Sequence, residues 1–582
     1  MKIALIGAEL EENLGLRYMA SALEARGHSA RIIGFNSDRD ISTAIEQVFS
    51  FKPDIAGLSM VFTGRAREFC ALAEALRQED YQGHIIAGGH FACLNSKQLL
   101  EDFPAFDSVG LGEGEEIICA LAENLGHIQR VDGICFRGAD GVVQRNPSRG
   151  NPDDLDALPF PKRTTFHDYF GLPIASLLSS RGCWRNCAFC SINAWYKQGG
   201  GKKFRVRSIE NIVAEMKTLY FTHGVRIFNM QDDNFFLPNK INALRRFEEL
   251  RAALDREKVK GIAIAVKARP DSITRETIGV LDDLGLFRVF LGVENASERA
   301  LKNLNRKCKV EDILRALRIL NDFDVHIAYN LLMFELDTNL EDIGTNLRFI
   351  ERHIDNPFNF CRAEAYAGTG LETKLRKEHR LLGNYFGIDY RLKDPCAEAF
   401  HKIANHAFFD RNFSDNGLHY FNMQVDFYFQ LLRRFYPELI TQTLRSQVRN
   451  FIKYTNLDTY ECLSQIYDFV CAANPDDQTK IQEFARYMRH RVDARSRELR
   501  IQGERILEWI NRIYENHDHR GEAASIAPLK EDFRLFQGRL EPYLGLHALV
   551  HSSAPLELKQ VDLFGLSEGP IPYSAFKRQL NP

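Results

Sequence analysis

A chain of 582 residues and 66.7 kDa, 45% hydrophobic and 26% charged, has the composition of a globular protein with several cores. A net charge of −3 and a pI near 6.6 exclude a strongly basic nucleic-acid surface or an acidic tail, and no apolar run approaches the length of a membrane span. The opening "MKIALIG" is too short an apolar stretch for a signal peptide, so a reducing cytoplasm is expected, where clustered cysteines serve metals or catalysis rather than disulfides.

From residue 1 to about 125, short apolar runs alternate with helical patterns. "KIALIG", "SARIIGF", "PDIAGLSM", "GHIIAGG" and "FDSVG" read as strands, and segments such as "LGLRYMASALEARGH" and "AREFCALAEALRQ" as the helices between them. This is the pattern of a doubly wound, Rossmann-like parallel sheet, expected over 1–130, although G-x-G-x-x-G is missing after the first strand. A linker is expected over 131–171, where a hairpin-like "VDGICFRGADGVVQRN" precedes the Pro- and Asp-rich "NPDDLDALPFPKR". Over 172–388 the strands "IASLLSS", "VRIFNMQ", "GIAIAVKA", "RVFLGVE", "HIAYNLLMF" and "NFCRAEAY" predict a partial (β/α)6 barrel of the TIM type. Residues 389–582 predict a helical domain, expected to close the barrel mouth and carry substrate specificity, with an irregular end around "FGLSEGPIPYSAF". The fold class is therefore α/β with a helical C-terminal domain.

"SSRGCWRNCAFCSI" carries Cys183, Cys187 and Cys190 just after the first barrel strand, where an active-site loop belongs. A disulfide would leave one thiol over. Structural zinc normally takes four ligands, and the next candidates, His167 and His223, are remote in sequence. Three thiolates fit one [4Fe–4S] cluster with one iron left open to a small molecule; a zinc site or a cysteine-rich loop are the competing readings. The other cysteines upstream, Cys70, Cys93, Cys119 and Cys135, are scattered and read as buried small residues, against a second cluster.

The spacing C-x3-C-x2-C, with Phe189 before the last cysteine, resembles the motif of the radical S-adenosylmethionine (SAM) enzymes. The resemblance implies that the open iron chelates SAM and that an electron from the cluster splits the sulfonium bond to give a 5′-deoxyadenosyl radical. It implies further SAM contacts from Gln231 and Asp232 in "FNMQDDNFF", from Lys267 or Arg269 in "AVKARPDSI", and from Glu294 and Asn295 in "GVENASERALKNLNR". "EAYAGTGLETKL" is similar to the segment after the sixth strand, with Ala367 in place of the usual proline.

The first domain resembles the cobalamin-binding domain of the B12-dependent radical SAM group. "GLSMVFTGRA" places Ser59, Thr63, Gly64 and Arg65 at the candidate corrin site. "AGGHFA" adds Gly88 and Gly89, and "FDSVGLGEGEE" adds Gly112, Glu113 and Gly114. The loop "GAELEENLG" has no histidine where other corrinoid proteins place their cobalt ligand, and the resemblance makes Thr63, Gly64 and Arg65 the candidates to face the lower side of the ring. The implied cofactors are a [4Fe–4S] cluster, SAM and cobalamin. The implied reaction is methylation of an unactivated carbon of a small-molecule or peptide natural product, with an electron donor such as flavodoxin or ferredoxin as partner. A non-methylating rearrangement, cyclisation or carbon–carbon bond formation on the same scaffold, methylthiolation, and a non-enzymatic corrinoid sensor are the alternatives. Tyr329, Glu335, Glu364 and Tyr366 at strand ends are candidates to touch substrate; the histidines of "HDHR" and "RYMRHR" read as solvated charge on helices.

Overall fold

The computed structural model describes residues 1–414 and 417–518. The end segment "FGLSEGPIPYSAF" lies outside the described residues, as do His519 and Arg520 of "HDHR". Two sheets of seven strands form the framework. The first contains β1 (Lys2–Gly7), β2 (Ser29–Gly34), β3 (Ile55–Ser59), β4 (His84–Gly88), β5 (Ser108–Gly110), β6 (Ile134–Arg137) and β7 (Val143–Arg145), in the order β2-β1-β3-β4-β5-β6-β7. β1 to β5 are parallel. Parallel strands are covered on both faces, and "KIALIG" is accordingly buried at every position after Lys2. Ala4 and Ile6 enter one apolar layer, Ile3 and Leu5 the other. The hairpin assigned to the linker is instead the antiparallel edge of this sheet, because Cys135 and Phe136 pair with β5 and are buried there.

The second sheet contains β8 (Asp168–Tyr169) and β9 (Leu172–Leu177). After the small hairpin of β10 (Ser180–Arg181) and β11 (Arg205–Val206), it continues with β12 (Ile227–Met230), β13 (Ala263–Ala268), β14 (Leu286–Leu291), β15 (His326–Phe334) and β16 (Phe358–Arg362). β9 and β12 to β16 are six parallel strands of an open barrel, and β8 is an antiparallel edge. Side chains alternate across each strand. Phe228, Ile264, Val266 and Val289 therefore join the outer helices in one core, while Ile227, Ala263 and Ala265 face inward. The outer helices start where the chain supplies caps: Ser208, Asn239 and Asn339 each accept a hydrogen bond from a first-turn backbone N–H.

Four C-terminal helices, Pro395–Phe413, Leu418–Phe435, Gln442–Ala472 and Gln478–Asp518, follow a short hairpin of β17 (Leu382–Asn384) and β18 (Gly387–Asp389). Contrary to the expectation from sequence, they do not close the mouth of the barrel at the carboxyl ends of its strands. Helix Leu418–Phe435 lies across the opposite end: Leu418, Phe421, Val425 and Phe429 pack on Ile227, Ala263, Ala265 and Phe287, at the first turns of their strands. Asp426 faces His326, the first residue of β15, and Arg434 donates to the carbonyl of Ile262, just before β13. The helices are the floor of the barrel. No helix among the described residues is long and apolar enough to cross a membrane.

Candidate functional site

The cysteine loop leaves β10 through Gly182, whose φ of +82° and contact with the Lys203 carbonyl exclude a side chain. Barrel loops then pin it: Ala188 donates to the Leu304 carbonyl at 2.9 Å and accepts from Leu371 N at 2.8 Å. Two buried guanidiniums converge on one thiol, with Arg306 Nη1 3.4 Å and Arg269 Nη1 3.7 Å from Cys187 Sγ. Burial pushes the Cys183 thiol up, and that of Cys190 to about 12. Such a dry setting favours thiolates only when metal charge replaces the proton. Among the described residues no three His, Cys, Asp or Glu groups converge as around a single ion. A cubane takes each thiolate on a different iron, so its ligands are spread, and a three-thiol loop backed by arginines fits it. Phe189 packs on the barrel core.

Of the residues expected at SAM, Gln231 and Lys267 meet each other across the inner face, Nζ to Oε1 at 3.1 Å. Asp232 turns away from them. It is fully buried and accepts from Ser179 N at 3.1 Å, from Ser179 Oγ at 2.7 Å and from Ser180 Oγ, which locks the start of the cysteine loop. Its neighbour Asp233, which sequence reasoning passed over, is the acid that lines the cavity beside Gln231. Enclosure by protein raises its carboxyl to about 6, against the attraction of Lys267. Arg269 is spent on Asp271, the Arg306 carbonyl and Cys187. Glu294 adopts a left-handed φ of 65° at the mouth, where its carboxylate lies 3.7 Å from Arg306, and burial raises its pKa. Asn295 does not reach the mouth: it is 0% exposed, donates to the Leu332 carbonyl and accepts from Ser297 N and Asn346 Nδ2. Tyr329 is likewise a core residue stacked on Phe358, and Glu335 is buried against Asn303. Tyr366 donates to Glu364 beyond the end of β16.

A cavity of about 330 Å³ joins the glycine loops of the first sheet to the cysteine loop's helix, Ser191–Gly199, and to Gln231 and Asp233. Ser59, Gly88, Gly89, Gly112, Glu113 and Gly114 all line it. A Cβ on Gly88 would meet nothing within 4 Å, whereas one on Gly89 would lie 2.8 Å from the Met60 carbonyl oxygen and one on Gly112 2.7 Å from Gly199 Cα. Gly88 thus leaves room for a ligand, and the other two allow close backbone approach. Glu113 contributes more to the wall than to a ligand, because it is paired with Arg205 at 2.5 Å and Arg181 at 3.1 Å. Thr63, Gly64 and Arg65 are absent from the lining; Arg65 folds back onto Glu68 at 2.9 Å and over the rings of Phe35 and Phe69. Two wall groups that the sequence did not reveal are His90 and Trp195, whose rings touch across the domain boundary with centroids 4.6 Å apart. His90 Nε2 and Trp195 Nε1 are both buried without a partner, polar atoms that a cofactor rich in peripheral amides fits.

A glycine-lined cavity above a doubly wound sheet, opening onto the mouth of a six-stranded barrel with three thiols in its first loop, defines an enzyme that combines a corrinoid domain with radical chemistry. Residues 7–122 match the B12 binding domain and residues 177–350 the Radical SAM superfamily. The chain is a radical SAM enzyme with a B12-binding domain, and its cofactors are a [4Fe–4S] cluster, SAM and cobalamin. It is similar to an uncharacterized methyltransferase of Pyrococcus horikoshii, 24% identical over 410 residues that cover 68% of this chain and 86% of that protein. It is also similar to the cytidylyl-2-hydroxyethylphosphonate methyltransferase of Streptomyces wedmorensis, 27% identical over 353 residues, 50% of this chain but only 63% of that one. Among solved structures, the cobalamin-dependent SAM radical enzyme OxsB with aqua-cobalamin bound shares the fold, with a TM-score of 0.62 and 17% identity over 94% of this chain and 84% of that chain.

Proposed function

We propose that the chain methylates an unactivated carbon of a small-molecule or peptide substrate, using residues 1–130 for cobalamin, 172–388 for the cluster and SAM, and the helices of 395–518 as support for the barrel. The observation that carries this reading is the single cavity reached both by the glycine loops and by Gln231 and Asp233. When bound, cluster and SAM supply an organic radical and cobalamin a transferable methyl group. The chain's own part is placement. Cys183, Cys187 and Cys190 hold the cluster, with Arg269 and Arg306 donating to Cys187. Asp233 faces the positive amino end of SAM, Gln231 and Lys267 orient its polar groups, and Glu294 receives its ribose. Gly88 and Gly89 let the corrin lie against the backbone, and the apolar wall excludes water. A one-electron donor such as flavodoxin or ferredoxin reduces the cluster.

The test is protein purified without oxygen from cells given iron and corrinoid, then incubated with reductant and SAM carrying a trideuterated methyl group. About four irons and one cobalt per chain, with 5′-deoxyadenosine and S-adenosylhomocysteine formed together, support the reading, and product three deuterons heavier completes it. Deoxyadenosine formed together with an altered product that carries no label assigns the chain to rearrangement or cyclisation instead. Iron without cobalt, even after cobalamin is added, rules out methyl transfer through it.

A further inference from the structure

The barrel interior, between its helical floor and the cysteine loop, holds a cation that forms no ion pair among the described residues. Val289 and Leu291 of β14 face the outer core, so Arg288 and Phe290 face inward. The Arg288 guanidinium stands 5.4 Å from the ring centroid of Phe427 on the floor helix, and its Nε is buried without a partner. Of the acids that face it, Asp426 is paired with Arg449 at 3.2 Å and lies 3.5 Å from His326, while Glu11, on the exposed loop after β1, acts on it electrostatically without forming an ion pair. Tyr169 and Tyr420 complete its surroundings, and Tyr420, on the floor helix, is 51% exposed. Four other enclosed arginines are paired with carboxylates: Arg163 with Glu12, Arg181 with Glu115, Arg207 with Glu215 and Arg411 with Asp458. Only its Nε is closed off; the rest of the half-buried guanidinium stays accessible, so a ligand entering the barrel meets a cation that no carboxylate has bonded.

The register places this cation in relation to the chemistry. Arg288 pairs with Ala265 and Phe290 with Lys267, so Arg288 lies two residues, about 7 Å, below the layer where Lys267 meets Gln231. Phe290, paired with Lys267, stands between an anion held there and the SAM residues, and Phe427 lies on the floor side of it. We propose that Arg288 anchors the substrate through a carboxylate or phosphate, and that the substrate is an otherwise apolar organic anion; this rests on the methyltransferase reading above for the identity of the site.

Titration calorimetry on the anaerobically reconstituted holoenzyme tests it, with benzoate and phenyl phosphate as probes; the tighter binder identifies the anionic group. Saturable binding of at least one probe is expected, weakened tenfold or more in Arg288→Gln and partly restored in Arg288→Lys. Arg288→Lys is expected to melt close to the parent, and Arg288→Gln to lose only the modest contribution of the guanidinium over Phe427. Binding of neither probe to the parent, equal binding to Arg288→Gln, or a loss of thermal stability in both variants overturns the inference and makes Arg288 a structural residue. Cleavage of SAM by the parent without any probe is measured alongside: its absence sinks the underlying reading, and its presence with no probe binding sinks only this one.

Discussion

The carboxyl of Asp233 opens onto the cavity, yet protein encloses it on its other sides and lifts it to about 6. Because its folded pKa lies above the unfolded value, ionising it costs stability as pH rises, and Asp233→Asn is expected to melt at an equal or higher temperature at pH 8. SAM binding runs the other way. The carboxylate is the form that pairs with an ammonium, so affinity in the parent should fall as pH drops through about 6. In Asp233→Asn it should be about tenfold weaker at pH 8 and flat with pH, measured by equilibrium dialysis with the cluster assembled. Binding equally strong in the variant would remove Asp233 from the SAM site. The sequence pointed to "QDD" but not to which aspartate lines the cavity: the strand ends at Met230, and beyond it strict alternation no longer says which neighbour turns inward. Asn295 misled for a related reason. Its segment resembles a ligand-binding loop, but the side chain is consumed in holding β15.

Strands and glycine loops were the most legible elements, since apolar runs bounded by glycine read the same way in any context. At Gly88 the reading can be tested with one atom group. Its added Cβ meets nothing, so Gly88→Val should leave the melting temperature almost unchanged while cobalt retained after desalting falls severalfold; Gly89→Ala, pressed on the Met60 carbonyl, should destabilise instead. The floor helix was legible as amphipathic but not in its partner, because helical spacing states that a face is buried and not against what. Its burial of imidazoles gives it a pH signature. Burial lowers His326 to about 4 and His419 to about 3, so both are neutral in the fold but protonate near 6.5 when unfolded. The stability they contribute is complete above 6.5 and is lost as pH falls, by up to about 1.4 kcal/mol per pH unit for each ring. Denaturant melts at pH 7.5 and 5.5 should show that loss, and His419→Gln should show a smaller one; an unchanged difference would place the pH dependence elsewhere.

The two sheets function together only if the cavity between them keeps its shape, and buried ion pairs hold it. Glu12, in the loop after β1, accepts from Arg163 at 2.6 Å and from the backbone N–H of Ser176 in β9. Arg181 and Arg205 of the small β10–β11 hairpin reach back to Glu113 and Glu115 at the start of the helix after β5. Burial alone would raise the Glu115 carboxyl, but the charge and hydrogen bond of Arg181 hold it below the usual range. Sequence resemblance had read "GEGEE" wholly as a cofactor loop. A single chain segment cannot reveal that its partners lie some seventy to ninety residues on, at Arg181 and Arg205, and so one motif was given one role where it has two. The glycines shape the wall and the glutamates fix the angle between domains. Breaking such a pair costs about 3–5 kcal/mol, since the remaining cation stays buried. Glu113→Gln is therefore expected to divide one calorimetric transition into two, as the first domain melts apart from the barrel, and to release cobalamin without changing iron content. A single, uniformly lowered transition with both cofactors lost together would mean that the domains form one cooperative unit and that Glu113 stabilises it as a whole.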